Sequence, residues 1–162
     1  MPEFVFPASL DKLSKSITIA IAVGFLVFLF VPLFVPELRY AILFQLALFL
    51  LILLVAWVYS PRSYEVNAQE ILIHRKAGDY KISRDQLASV MPLSSEDMGQ
   101  AWRMFGNGGV FGYTGWFSSR KIGKMRWFVT QRNNYILLTL KDGRKMVISP
   151  DDPKGFLAAI QP

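Results

Sequence analysis

The chain has 162 residues, 52% of them apolar, a formal charge of +6, one histidine and no cysteine. The missing cysteines exclude a disulfide scaffold, and with a single histidine the usual nitrogen and sulfur ligands of a zinc centre are absent too. A cationic surplus in a chain this apolar directs attention to anionic surfaces, of which a membrane is the nearest.

Residues 17–35 and 41–59 are two charge-free apolar runs of 19 residues each. As helices they span roughly 28 Å, close to the ~30 Å hydrocarbon core of a bilayer. Leu, Ile, Val and Phe fill 14 positions of the first run and 13 of the second. Each of these favours insertion by about 0.3–0.6 kcal/mol at the helix centre, a sum that Pro32 and Gln45 do not reverse. Only residues 36–40, Pro36, Glu37, Leu38, Arg39 and Tyr40, separate the runs, so a transmembrane helical hairpin is expected over 17–59, with both termini on one side. Tyr40, Trp57 and Tyr59 fall at interface depth, as an aromatic belt would. A cleaved signal peptide fits poorly, because the first run is too long and offers no small-residue cleavage site. Lys12 and Lys15 before the hairpin and Arg62 after it oppose Arg39 in the turn, which orients residues 1–16 and 61–162 to the cytoplasm.

From residue 61 the composition becomes that of a folded domain. Residues 64–67 and 71–75 are β-prone around a turn, and 80–90 reads as a further strand. Further strands are expected at 116–119 and 127–130, and the clearest hairpin pairs 135–140 with 144–149 across Asp142 and Gly143. Ser149 or Asp152 caps a terminal helix carrying Phe156, Leu157 and Ile160 on one stripe. Some seven strands and one helix give an α+β domain over 61–162, expected to fold as a unit.

Charge is uneven along the chain. Between Met98 and Lys141 there are seven basic residues and no acidic one, whereas the remaining stretches balance to within one charge. The run is either a solvated strand face or an anion-facing surface; the second reading makes Arg103, Arg120, Lys121, Lys124, Arg126 and Arg132 candidate contacts to lipid or a partner, each worth on the order of 1 kcal/mol near an anionic leaflet. Within it, residues 106–115 hold five glycines. Phe111 stands where a Gly-x-Gly-x-x-Gly fingerprint needs glycine, so the stretch reads as a bulged crossing where backbones approach closely, not as a phosphate loop.

The segments Phe105-Gly106-Asn107-Gly108-Gly109, Phe111-Gly112-Tyr113-Thr114-Gly115 and Ile148-Ser149-Pro150-Asp151-Asp152-Pro153 with Phe156 resemble a bacterial pleckstrin-homology (PH)-like family. The resemblance covers roughly residues 62–160. It implies a PH-like split β-barrel closed by the C-terminal helix, and its members often follow a transmembrane hairpin. Phosphoinositide recognition is not implied, since Arg75, Lys76 and Lys81 are interspersed with Glu70 and Asp79 rather than forming a compact basic loop.

No catalytic constellation is legible. His74 shows no partner in the sequence and is assigned a structural role, the acid pairs Glu96-Asp97 and Asp151-Asp152 suit a loop and a helix cap, and no nucleophile motif occurs. The expectation is a membrane-anchored binding or scaffold module, not an enzyme, without cofactor or metal. Its partners would be the bilayer and a protein or a second copy, not nucleic acid; the alternative is a hairpin that oligomerises into a transport or channel-like component.

Overall fold

In the computed structural model, which describes residues 3–160, the chain runs through ten strands and five α-helices. Residues 1–16, expected as a segment apart, supply the first strand, β1 (Phe4–Pro7). It pairs antiparallel with β2 (Pro61–Val66), and β3 (Glu70–Arg75) and β4 (Tyr80–Ser83) complete a four-stranded sheet. Alternation turns Phe6 into the core and Val5 away from it, while Phe4, on the same face as Phe6 at the start of the strand, stays exposed. The folded domain therefore takes its edge strand from before the helices, which a boundary at 61 leaves out.

Helix α1 (Lys12–Phe28) opens on Asp11, whose Oδ1 accepts the Ser14 N–H at 2.6 Å. The apolar run 17–35 does not form one helix. Proline at position 32 has no N–H to give the Phe28 carbonyl, and α1 ends at Phe28. A short helix, α2 (Val31–Phe34), and a 3₁₀ turn, Pro36–Leu38, lead into α3 (Arg39–Tyr59). The rings of Phe25 and Phe49 stack with centroids 5.4 Å apart, so α1 and α3 lie side by side. Among the described residues α3 is the one helix long and apolar enough, by length and composition, to cross a membrane.

The expected strand 80–90 is broken by a 3₁₀ turn, Arg84–Gln86, where the chain leaves the first sheet for the second. Arg84 pins this corner by donating to the Asn67 carbonyl at 3.0 Å and the Ile160 carbonyl at 2.6 Å. The second sheet begins with β5 (Leu87–Leu93); a short helix, α4 (Ser95–Met98), precedes β6 (Ala101–Gly109) and β7 (Gly112–Ser119). Strands β8 (Gly123–Val129), β9 (Tyr135–Leu140) and β10 (Lys145–Ile148) follow, and the chain closes on α5 (Pro153–Ile160). Strand order is β5-β9-β10-β8-β7-β6, with β10 and β8 parallel and the other neighbours antiparallel.

Ile71, Ile73 and Tyr64 of the first sheet meet Ile136, Leu138 and Ile148 of the second, and Phe156 of α5 plugs the end between them. Tyr64 Oη donates to the Phe128 carbonyl at 2.6 Å, and burial pushes its pKa up to about 12. Of the two candidate caps, Asp152 holds α5, accepting the Gly155 N–H at 2.9 Å. Ser149 instead accepts the N–H groups of Thr130 and Gln131 at 2.8 and 3.1 Å, tying β8 to β10. On the other face of the second sheet, Phe117 stacks on Trp127 at 4.2 Å, and Met98 of α4 packs into the same cluster. Two sheets closed by a C-terminal helix are the architecture expected of a PH-like domain.

Candidate functional site

The glycine-rich stretch forms the β6–β7 hairpin, bulged between Arg103 and Phe105. Gly106 and Gly115 pair across it at φ +113° and +130°, and a Cβ on Gly106 would lie 2.8 Å from the Gly115 Cα. Only glycine permits that approach. At the tip, Phe111 sits at φ +54°, a strained value for an aromatic residue that the surroundings impose. Thr18 Oγ1 accepts the Phe111 N–H at 3.0 Å, Ser14 donates to the Gly109 carbonyl at 2.7 Å, and Ser60 donates to the Phe111 carbonyl. The hairpin tip is thus held at the start of α1 and the end of α3.

Between hairpin and helix lies a cleft of about 570 Å³. One wall is the last turns of α3, with Ile52, Val55, Ala56 and Tyr59. The other is the inner face of the second sheet past the point where Phe128 closes the core: Thr114 pairs with Phe128 and Trp116 with Arg126 on neighbouring strands. Phe105, 77% exposed, stands at the rim.

Three arginines, Arg75, Arg103 and Arg126, line this mainly apolar space, with Asn107 and Thr114 as its neutral polar residues. The Arg126 guanidinium lies 5.0 Å from the Phe128 ring centroid and 4.7 Å from that of Tyr80; Arg75 lies 5.6 Å from the Phe128 ring and 5.6 Å from that of Tyr59. Stacking on aromatic faces orients both groups without neutralising them. Among the described residues no carboxylate comes within 4.0 Å of any of the three; Asp79 is occupied by His74 at 2.9 Å and Glu70 by Lys81 at 3.5 Å. Burial, and after it the charge of Arg126, lowers the Arg75 pKa from its ordinary value. An anion between them would relieve that repulsion.

The expected basic surface is divided by the fold. Arg103 and Arg126 line the cleft, and Lys124 lies beside it, its Nζ 4.8 Å from the Trp116 ring. Arg120 and Lys121 sit in the β7–β8 turn, where Lys121 donates to the Glu96 carbonyl at 2.8 Å. Arg132 is on the opposite face of the sheet, 5.5 Å from the Tyr113 ring and bordering a separate cavity of about 330 Å³ with Trp127 and Tyr135. Arg75 was not expected, because Glu70 and Asp79 balance the charge of its segment. Those acids prove to be paired with Lys81 and His74; among the described residues Arg75 has no carboxylate within 4.0 Å, its Nε donating instead to the Gly78 carbonyl at 3.1 Å. His74, expected to lack a partner, is held between Glu65 and Asp79 at 2.9 Å each.

A family profile described as Bacterial PH domain matches residues 62–162. The chain belongs to the bacterial PH-domain family. The match takes in β2–β10 and α5, so both sheets and the plugging helix are family features, while β1 and the helical pair precede it. No curated protein and no solved structure is matched. In this bacterial PH domain the three cleft arginines come from inside the matched region and the apolar wall from α3 outside it, so the cleft joins the domain to its helix.

Proposed function

We propose that the protein is a membrane-anchored binding module: a helical hairpin inserts in the bacterial inner membrane, and the PH domain, held tightly against it on the cytoplasmic side, presents a cationic, aromatic surface to anionic lipid and to a protein partner. The observation that carries this reading is the exposure of α3. Phe44 is 72% exposed, and Leu43, Leu51 and Leu54 are also open on a helix of 21 residues without a charge after Arg39. In water such a surface would aggregate; in a bilayer it is satisfied. Helix α1 with α2 would complete the hairpin, and the excess of Lys12, Lys15 and Arg62 over Arg39 supports a cytoplasmic domain. The edge strand β6, with Trp102, Met104 and Phe105 exposed, suits a protein partner that adds a strand or covers the patch.

The cysteine-free chain makes a direct test available. Single-cysteine variants of the full chain, Glu37→Cys in the interhelical turn and Lys141→Cys in the β9–β10 turn, are expressed in bacteria and treated with an impermeant thiol reagent. The protein should resist carbonate extraction, Glu37→Cys should label on intact cells, and Lys141→Cys only after permeabilisation. Extraction by carbonate, or labelling of Lys141→Cys on intact cells, would overturn the anchored, cytoplasmic arrangement.

A further inference from the structure

The cleft has two chemically different halves that meet. Its helix wall is aliphatic, Ile52 and Val55 lying two turns and one turn before Tyr59 at the end of α3. Its other side brings Arg75, from β3 of the first sheet, and Arg126, from β8 of the second, over the Phe128 ring, without a carboxylate within 4.0 Å among the described residues. Two guanidinium groups stacked on the same ring face repulsion unless an anion joins them, and a planar donor fork suits phosphate oxygens. Free phosphate would satisfy the arginines and leave the aliphatic wall in water. A peptide would satisfy neither the apolar length of α3 nor a site whose wall is the membrane-exposed helix itself. A glycerophospholipid matches both halves in the observed order: phosphodiester at the arginines, acyl chain toward the bilayer along α3.

We propose that this cleft holds one anionic glycerophospholipid, its phosphodiester between Arg75 and Arg126 and one acyl chain against Ile52 and Val55. The inference rests on the membrane-anchored reading and assigns that surface its ligand. Trp116, beside Arg126 across the β7–β8 pair, packs at glycerol level, and Arg103 at the bulge reaches the headgroup's outer charge. Bound lipid then bridges helix and domain, adding to the contacts of Ser14, Thr18 and Ser60 at the hairpin tip. A volume of about 570 Å³ accommodates the head and upper chain and leaves the chain end in the bilayer, within the ~300–1,000 Å³ of small-molecule sites.

The test uses the full-length protein, delipidated in neutral detergent and examined by native mass spectrometry while phosphatidylglycerol, phosphatidylcholine or glycerol 3-phosphate is added. A single phosphatidylglycerol adduct should persist, bound at least tenfold more tightly than phosphatidylcholine, with glycerol 3-phosphate not retained. Arg75→Gln with Arg126→Gln should weaken it at least tenfold; Arg120→Gln with Lys121→Gln, in the distant β7–β8 turn, should not. Should the arginine pair be needed for folding, Ile52→Trp, which fills the apolar wall outside the domain, should abolish the adduct while leaving the circular dichroism unchanged. Equal adducts in wild type and both cleft variants, or several adducts without stoichiometry, would overturn the proposal. Retention of glycerol 3-phosphate as tightly as the lipid would overturn it in favour of a soluble-anion site. A protein that resists carbonate but binds no lipid in the cleft loses this inference alone, whereas one extracted by carbonate loses the anchored reading as well.

Discussion

His74 accepts or donates to Glu65 and Asp79 through its two ring nitrogens, each at 2.9 Å. Partial burial disfavours the imidazolium, but the hydrogen bonds and charges of both carboxylates outweigh it, and the pKa is raised above its ordinary value. A raised folded-state pKa means that protonation stabilises the fold: the contribution is complete below the unfolded value of about 6.5 and disappears as pH climbs through the higher folded value. Thermal stability of the full chain in neutral detergent should therefore fall as pH rises from about 6 toward 8. His74→Gln, which keeps a hydrogen-bonding side chain without the titration, should remove that slope. An unchanged slope in the variant would assign the pH dependence elsewhere. Glu65, nearly buried at 8% exposure, supplies the constraint, because an acid so placed needs a partner.

The β6–β7 hairpin depends on closeness that one methyl group would destroy. Gly115 sits at φ +130°, with the Phe105 carbonyl where a Cβ would go, whereas Gly143 at φ +84° has open space around it. Gly143→Ala should carry only the conformational cost of about 1 kcal/mol, while Gly115→Ala adds overpacking and should destabilise by about 2–4 kcal/mol. Chemical denaturation of the two variants, with limited proteolysis at the hairpin tip, separates these outcomes; equal losses would mean that the crossing relaxes freely. The close crossing was legible in the interleaved glycines and aromatics, since a local pattern reports a local backbone demand. Where the tip docks was not legible, because Ser14, Thr18 and Ser60 contact residues 51 to 95 positions away. The same limit hid Arg75: charge counted along the chain cannot reveal that Glu70 and Asp79 are engaged elsewhere. It also exaggerated the basic run, whose Arg132 projects from the opposite face to Arg126.

The helical pair is inserted within the PH domain's own first sheet, between β1 and β2, so the chain leaves the domain and returns to it a strand away. Phe6 of β1 meets Phe156 of α5 with ring centroids 5.4 Å apart at 71°, and Ser9 donates to Asp151 at 2.6 Å, so the N-terminal strand also holds the segment that caps the plugging helix. A fragment of residues 61–162 lacks all of this. Losing a buried phenylalanine costs about 3–5 kcal/mol, a large part of the roughly 5–15 kcal/mol that stabilises a small domain, and it exposes the β2 edge to aggregation. The fragment 61–162 should therefore be poorly soluble or partly unfolded. Residues 3–11 joined to residue 61 by a flexible Gly/Ser linker, in place of the helices, should restore a cooperative transition and a β-rich spectrum. Phe6→Ala in that joined chain should undo most of the recovery. Equal stability of the joined chain and the bare fragment would make β1 a passive strand, and the domain would then be separable from its helices at residue 61.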